Sequence, residues 1–423
     1  MRTAAVLLGL AAIAAAAPDE KKIRAALHAI LSEPKEAERK RIIEGLGDGG
    51  APLEEVEQAI RKGPFYPRDA AEGGRLVRVG RAVGGYEVGL GSEAYGYAVH
   101  VPEGYDPDKG NPVLLDPGHG SWSGMELEEK LKGFDFFRNL ADTAGCREWL
   151  IVRTEIIEKI GPDARGLPEE QGNRLFQQVF RDLATRYHFD PDRVYVTGLS
   201  QTGFWTWELG CLRADRYAGI APMSAVTWQV TGYDANLLAL PVYVLHGAKD
   251  RTCDVSQPRR TCSELARIGV SVRYKEFPNA GHDGNVWNAL PTALEWLKER
   301  PRERYPKRVS KSLQTTGDGW CYWLRVDRIA DEGTGKAGQP PKAGIDGELE
   351  GQTVRLFSEG VKGITLCFSS EMMDLGKPVT VVWNGKTVFE GTVTRSLATM
   401  LDLVYDKTDW KETFEAALEV KAP

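Results

Sequence analysis

Cysteine and histidine are scarce in this chain, with six of each among 423 residues. Neither type clusters. No CxxC pair and no His/Cys group has the spacing of a metal site, so the sequence offers no metal and no other cofactor site. Long apolar runs are scarce as well. Beyond residue 17 none reaches the roughly 20 residues that a bilayer span requires, which argues against stable membrane insertion. An excess of one charge is also missing: the formal net charge is −6 and no basic run stands out, so nucleic acid and anionic membrane surfaces are not expected partners. What is present, 42% hydrophobic and 27% charged residues, is the balance of a globular chain of two or three domains.

The first residues, Met1-Arg2-Thr3 and then an apolar run from Ala4 to Ala17, have the charged start, apolar middle and small-residue end of a secretory signal peptide. The expected destination is therefore secreted or periplasmic. All six cysteines follow it and could pair in an oxidising compartment, with Cys253 and Cys262 the pair to test. Residues 18–72 read as a helical lead-in, because Ile23, Leu27, Ile30 and Leu31 share one helical face and Leu53, Val56 and Ile60 share another. Such a segment is a lid, a pro-segment, or simply helices packed on the main domain.

Residues 73–302 change rhythm. After strand-like runs at Leu76 to Val79 and Tyr95 to Val101, apolar strands alternate with helical patterns, including helices over Phe204 to Leu212 and Val286 to Glu299. That alternation predicts an α/β fold with a mostly parallel sheet and helices on both faces. Residues 303–423 follow a charged, proline-punctuated linker and read as a mainly β domain with a helix near Leu397 to Leu403. Asn384-Gly385 between two strand patterns supplies the positive φ angles of a tight hairpin.

Chemistry concentrates around Ser200. Val-Tyr-Val-Thr-Gly-Leu-Ser-Gln-Thr-Gly, from Val194 to Gly203, reads as a buried strand, a sharp turn at the serine, and a helix. The GxSxG pattern of such turns is imperfect here: Thr202 occupies the second glycine position, and Gly203 comes one residue late. A serine hydroxyl needs a base and a carboxylate to act as a nucleophile. Of the six histidines, His282 fits, in the glycine-flanked loop Gly281-His282-Asp283-Gly284. Asp250 lies just beyond a buried strand at Val242 to Leu245, where parallel sheets bind ligands. Asp254 is the competing acid, and Asp283 reads as a turn residue. The chain order Ser200, Asp250, His282 is that of an α/β-hydrolase triad. The glycine-rich loop after Leu114-Leu115-Asp116 is placed to supply an oxyanion hole, through the backbone N–H of Gly120 or Ser121 together with that of Gln201. His119 would brace that loop. Trp122 and Trp228 are candidates for an aromatic substrate wall, and Trp205, Trp207 and Trp287 also fall near the triad in sequence.

From about Tyr95 to Arg300, several stretches resemble secreted α/β-hydrolase esterases. They are Val-Pro-Glu-Gly-Tyr-Asp-Pro, His119-Gly120, Asp190-Pro-Asp-Arg-Val-Tyr-Val-Thr-Gly-Leu-Ser200, Asp215-Arg-Tyr-Ala-Gly-Ile-Ala-Pro-Met-Ser224, His246-Gly-Ala-Lys-Asp250 and Gly281-His282. The resemblance is to the feruloyl-esterase and polyhydroxybutyrate-depolymerase-like group, the phospholipase/carboxylesterase group, and the catalytic domain of prolyl-oligopeptidase-like peptidases. It covers roughly half the chain and implies a nucleophile at Ser200, an acid at Asp250 and a base at His282. The expected partner is then a small-molecule or polysaccharide-linked ester. The alternatives are a serine peptidase, or a non-catalytic scaffold whose C-terminal aromatics Trp320, Tyr322, Trp323 and Trp383 attach to polysaccharide; alternating aromatics in strands favour a sheet core over a binding face.

Overall fold

The computed structural model describes residues 19–46, 52–66, 83–90, 93–118, 138–154, 169–227, 230–282, 284–335 and 338–423. The proposed leader and the strand pattern at Leu76 to Val79 lie outside the described residues. Eight strands form the central sheet: β1 (Val83–Leu90), β2 (Glu93–His100), β3 (Asn111–Asp116), β4 (Leu150–Thr154), β5 (Phe189–Leu199), β6 (Gly219–Met223), β7 (Val242–Gly247) and β8 (Val272–Phe277). Their order is β1-β2-β4-β3-β5-β6-β7-β8. Only β2 runs against its neighbours; every pair from β4 across to β8 is parallel.

Side chains of a strand point alternately to its two faces, so a strand buried on both must be apolar throughout. The central strands obey this. Val113 and Leu115, Leu150 and Val152, Val194 and Val196, and Val242 and Val244 join one buried cluster. The residues between them, Leu114, Ile151, Tyr195 and Tyr243, join another on the opposite face. On the first face lie α4 (Glu169–Arg186), α5 (Gln201–Leu212) and α6 (Ser256–Ile268), through residues such as Phe176, Trp207 and Leu265. On the second lie the helical residues 138–143 and α7 (Leu290–Leu297). The α/β architecture expected from the sequence is thus present, with helices on both faces.

Three local readings change. The helix predicted from Phe204 begins at Gln201, directly after the serine. The helix predicted over Val286 to Glu299 is broken into a single turn, Gly284–Trp287, and α7, because Pro291 lacks the N–H to continue a helix and is suited to the start of one. Cys253 and Cys262 are not bridged: both are buried free thiols, one in the turn after β7 and the other on the inward face of α6.

The lead-in contributes α1 (Glu20–Ser32), α2 (Glu36–Leu46) and α3 (Leu53–Arg61). Ile23, Leu27, Ile30, Val56 and Ile60 are buried in the same cluster as the central sheet. The strands of the C-terminal part are β9 (Arg308–Leu313), β10 (Trp320–Cys321), β11 (Leu324–Ile329), β12 (Ala343–Glu350), β13 (Thr353–Glu359), β14 (Val361–Phe368), β15 (Val379–Trp383), β16 (Lys386–Gly391) and β17 (Ala416–Lys421), with α8 (Leu397–Lys407) packed beside them. They form a five-stranded sheet, β16-β15-β13-β12-β9, and a four-stranded sheet, β10-β11-β14-β17. The Asn384-Gly385 hairpin is present, with φ 48° and 80° between β15 and β16. Trp323, Met400, Trp410 and Phe414 belong to the cluster that also holds Trp207 and Ile23, so lead-in, central sheet and C-terminal sheets share one continuous core.

Candidate active site

Ser200 sits at the corner between β5 and α5 with φ 56° and ψ −116°, a backbone conformation that L side chains rarely adopt. Two hydrogen bonds hold the corner: Ser200 N–H donates to Met223 O at 2.9 Å, and Phe204 N–H donates to Ser200 O at 3.0 Å. The glycines explain why the chain can turn so tightly. A Cβ on Gly198 would lie 2.4 Å from Thr202 Oγ1, and one on Gly203 would lie 2.7 Å from Ala225 Cβ and 2.8 Å from Met223 O. Gly203, one place late in the pattern, is therefore a point of close approach between α5 and the end of β6. Thr202 is accommodated because its hydroxyl turns back and donates to Leu199 O at 3.0 Å.

His282 Nε2 lies 2.8 Å from Ser200 Oγ, and His282 Nδ1 lies 2.8 Å from Asp250 Oδ2. Three side chains from three separate loops at the carboxyl ends of β5, β7 and β8 thus form one continuous hydrogen-bonded line. Asp250 is almost wholly buried. Its Oδ1 accepts the backbone N–H groups of Thr252 and Cys253 at 2.9 and 2.8 Å, which leaves Oδ2 facing the imidazole. The competing Asp254 is exposed and accepts from Ser256 N–H at 2.7 Å. Asp283 lies outside the described residues.

The His282 loop is fixed by a glycine that the sequence reading did not use. Ala248 and Lys249 donate backbone N–H to Phe277 O and Ala280 O, each at 2.9 Å. A Cβ on Gly247 would meet Gly281 O at 2.3 Å and Ala280 O at 2.6 Å, so only glycine lets the loop lie this close to β7. His246 was also passed over. Its ring is fully buried, with Nε2 2.9 Å from Cys253 O and 3.4 Å from Asp250 Oδ2. Burial lowers its pKa, and a carbonyl partner requires Nε2 to carry the proton. The signal for both residues was the run His246-Gly247 directly after a buried strand.

Gln201, expected to supply an oxyanion donor, is the first residue of α5, where backbone N–H groups point out of the helix end. Gly120, Ser121, Trp122, His119 and Trp228 lie outside the described residues. Asp116 accepts Gly118 N–H at 3.1 Å and pairs with Arg153 at 3.0 Å, both side chains being buried. Gly118 has φ 94°, and a Cβ there would lie 2.0 Å from Thr154 O. Trp205 and Trp207 are buried in the core beneath α5, and Trp287 is half-buried against the other face.

Donor atoms of Asp250, Cys253 and His282 lie within 4.8 Å of one another, which is a spacing a metal ion could bridge. Two of the three are engaged with each other, and burial pushes the Cys253 thiol up to about 12, far from the thiolate form that metals prefer. The set fits a proton relay better than a metal site.

A mostly parallel sheet with one antiparallel strand near its edge, a strained serine between strand and helix, and the order serine, aspartate, histidine define an α/β-hydrolase fold. No family model matches the sequence, and no curated relative does either. Among solved structures, parts of the chain are similar to a thermostable esterase (20% identity, TM-score 0.45, 52% of this chain and 63% of the other). They are also similar to esterase PE8 (17%, 0.37, 48% and 97%) and to the Pyrococcus horikoshii acylaminoacyl peptidase (14%, 0.40, 53% and 43%). The chain thus spans less than two thirds of the thermostable esterase and of the peptidase. The hydrolase arrangement stands on this chain's own strand order and atom distances.

Proposed function

We propose that the protein is a serine hydrolase that cleaves carboxylic esters through an acyl-enzyme on Ser200. The observation that carries this reading is the unbroken line Ser200 Oγ, His282, Asp250, with 2.8 Å at each step. His282 takes the Ser200 proton as the oxygen attacks the ester carbonyl, and returns it to the departing alcohol. Asp250 fixes the imidazole and stabilises its protonated form. Water then enters by the same route and releases the acid. The developing oxyanion is held by backbone N–H groups of Gln201 and of Gly120 or Ser121, each donor contributing on the order of 10²- to 10³-fold in rate. Trp122 and Trp228 would border the acyl pocket, and the enzyme would act on small-molecule or polysaccharide-linked esters outside the cytoplasm.

The test is hydrolysis of a short-chain p-nitrophenyl ester by the wild type and by Ser200→Ala, with a feruloyl ester and a prolyl amide beside it. Loss of the hydroxyl is expected to remove roughly 10⁴- to 10⁶-fold of the rate. Equal rates in the two proteins would overturn the nucleophile. A preference for the amide would replace the esterase with a peptidase built on the same residues.

A further inference from the structure

A second concentration of buried chemistry lies far from Ser200, at the joint between the catalytic sheet and the C-terminal layer. Arg213, Arg216, Arg302 and Lys407 all bury their side chains there. Among them is a partly open pocket whose narrow interior has room for about one water-sized particle, walled on its apolar side by Phe180, Phe189 and Val194.

The carboxylates that line it have their oxygens engaged. Asp215 accepts both Nε and Nη2 of Arg213, at 2.9 and 3.0 Å, and lies 3.1 Å from Lys407 Nζ. Asp409 accepts the backbone N–H groups of Lys411 and Glu412 with one oxygen, and its other oxygen lies 2.6 Å from Arg302 Nη1. The donors are not used up. Arg302 Nε and Thr408 Oγ1 are buried without a hydrogen-bond partner among the described residues, on side chains that both line the pocket. Among the described residues, Arg216 has one side-chain hydrogen bond, to Lys407 O at 3.1 Å, and is the one cation of the four without a carboxylate at ion-pair distance. Burial and the neighbouring Arg213 push its pKa down to about 10, outweighing the pull of Asp215 and Asp409 in the other direction.

We propose that this pocket binds one monatomic anion of the halide class, chloride under ordinary conditions. Unused N–H and O–H donors beside a buried guanidinium that has no carboxylate at ion-pair distance among the described residues call for an acceptor that carries negative charge. The neighbouring carboxylates of Asp215, Asp409 and Glu412 already pair with Arg213, Lys407 and Arg302, and the narrow interior favours a single atom over a polyatomic anion. The aromatic and aliphatic wall also suits a weakly hydrated ion. Bound there, the anion neutralises Arg216 and accepts from Arg302 and Thr408, so it fastens α8 and the segment after it to the catalytic core.

The first experiment is diffraction from wild-type crystals grown in bromide, with data collected at the bromine edge. An anomalous peak inside the pocket, within hydrogen-bonding reach of Arg216 and Arg302, is the expected result. Density without an anomalous signal means an ordered water and overturns the proposal. Thermal unfolding supplies an independent reading on the full-length wild type. Chloride and bromide should raise the midpoint saturably, by roughly 1–3 °C, over gluconate at equal ionic strength. Arg216→Gln, or the milder Thr408→Val if that variant does not fold, should abolish or weaken this dependence. The same midpoint in all three anions would also refute the site.

Discussion

Gly203 and Thr202 divide between them a task that a single glycine performs in the usual turn. A methyl group at 203 would collide with Ala225 and with the backbone of Met223, whereas position 202 already carries a side chain bonded to its own turn. Gly203→Ala is therefore expected to cost roughly 1–3 kcal/mol of stability and to lower kcat by shifting Ser200 away from His282. Thr202→Ala should lose only one hydrogen bond, about 1 kcal/mol. Unfolding midpoints and ester kinetics on both variants check the contrast, and equal effects would show that the helix does not need close approach at 203. Ser200, Asp250 and His282 were legible in the sequence because each follows a recognisable strand and their order is restrictive. Arg153 was not, since a buried ion pair with Asp116 leaves no local pattern, and the contact that Gly247 makes with Ala280 and Gly281 could be read only from the structure.

At the level of elements, α1 and α3 are parts of the core. His28 Nε2 lies 3.0 Å from Thr185 O at the end of α4, and Arg61 hydrogen-bonds to Tyr305 and Thr413 in the C-terminal part. Burying residues such as Leu27, Ile30 and Ile60 contributes roughly 1.5–3 kcal/mol each. Deleting residues 19–62 should thus lower the unfolding midpoint by many degrees and reduce ester turnover per molecule. A pro-segment that merely blocked the site would give the opposite result, with turnover rising on removal. Helical periodicity made these elements visible in the sequence. Their attachment to residues more than 300 positions away was not, because amphipathic faces do not name what they pack against.

Across the whole molecule, two buried groups give opposing pH responses. Burial pushes the His188 imidazole down to about 4, where it stacks on Tyr66 and lies 2.9 Å from Pro107 O. The unfolded chain then takes up a proton that the folded chain refuses, so this contribution is complete above about pH 6.5 and is lost as pH falls toward 4. Burial pushes the Glu412 carboxyl up to about 7 from an ordinary 4.5. Here the folded chain holds the extra proton, so the contribution is present below the ordinary range and is lost as pH rises through 7. In Glu412→Gln that second response disappears while His188 is unchanged. The midpoint of the variant minus that of the wild type should therefore increase from about pH 5 to about pH 8, and a difference independent of pH would refute the assignment. The same joint bears on how the chain is made. Arg61 and Thr413 are 352 residues apart yet hydrogen-bonded, and Arg395 reaches Glu54. Contacts of such separation can be completed only after residue 413 has been synthesised. Although α1 can pack early on α2, α3 and α4, its contact with α8 must wait until residues 397–407 have emerged, so the lead-in docks in two stages.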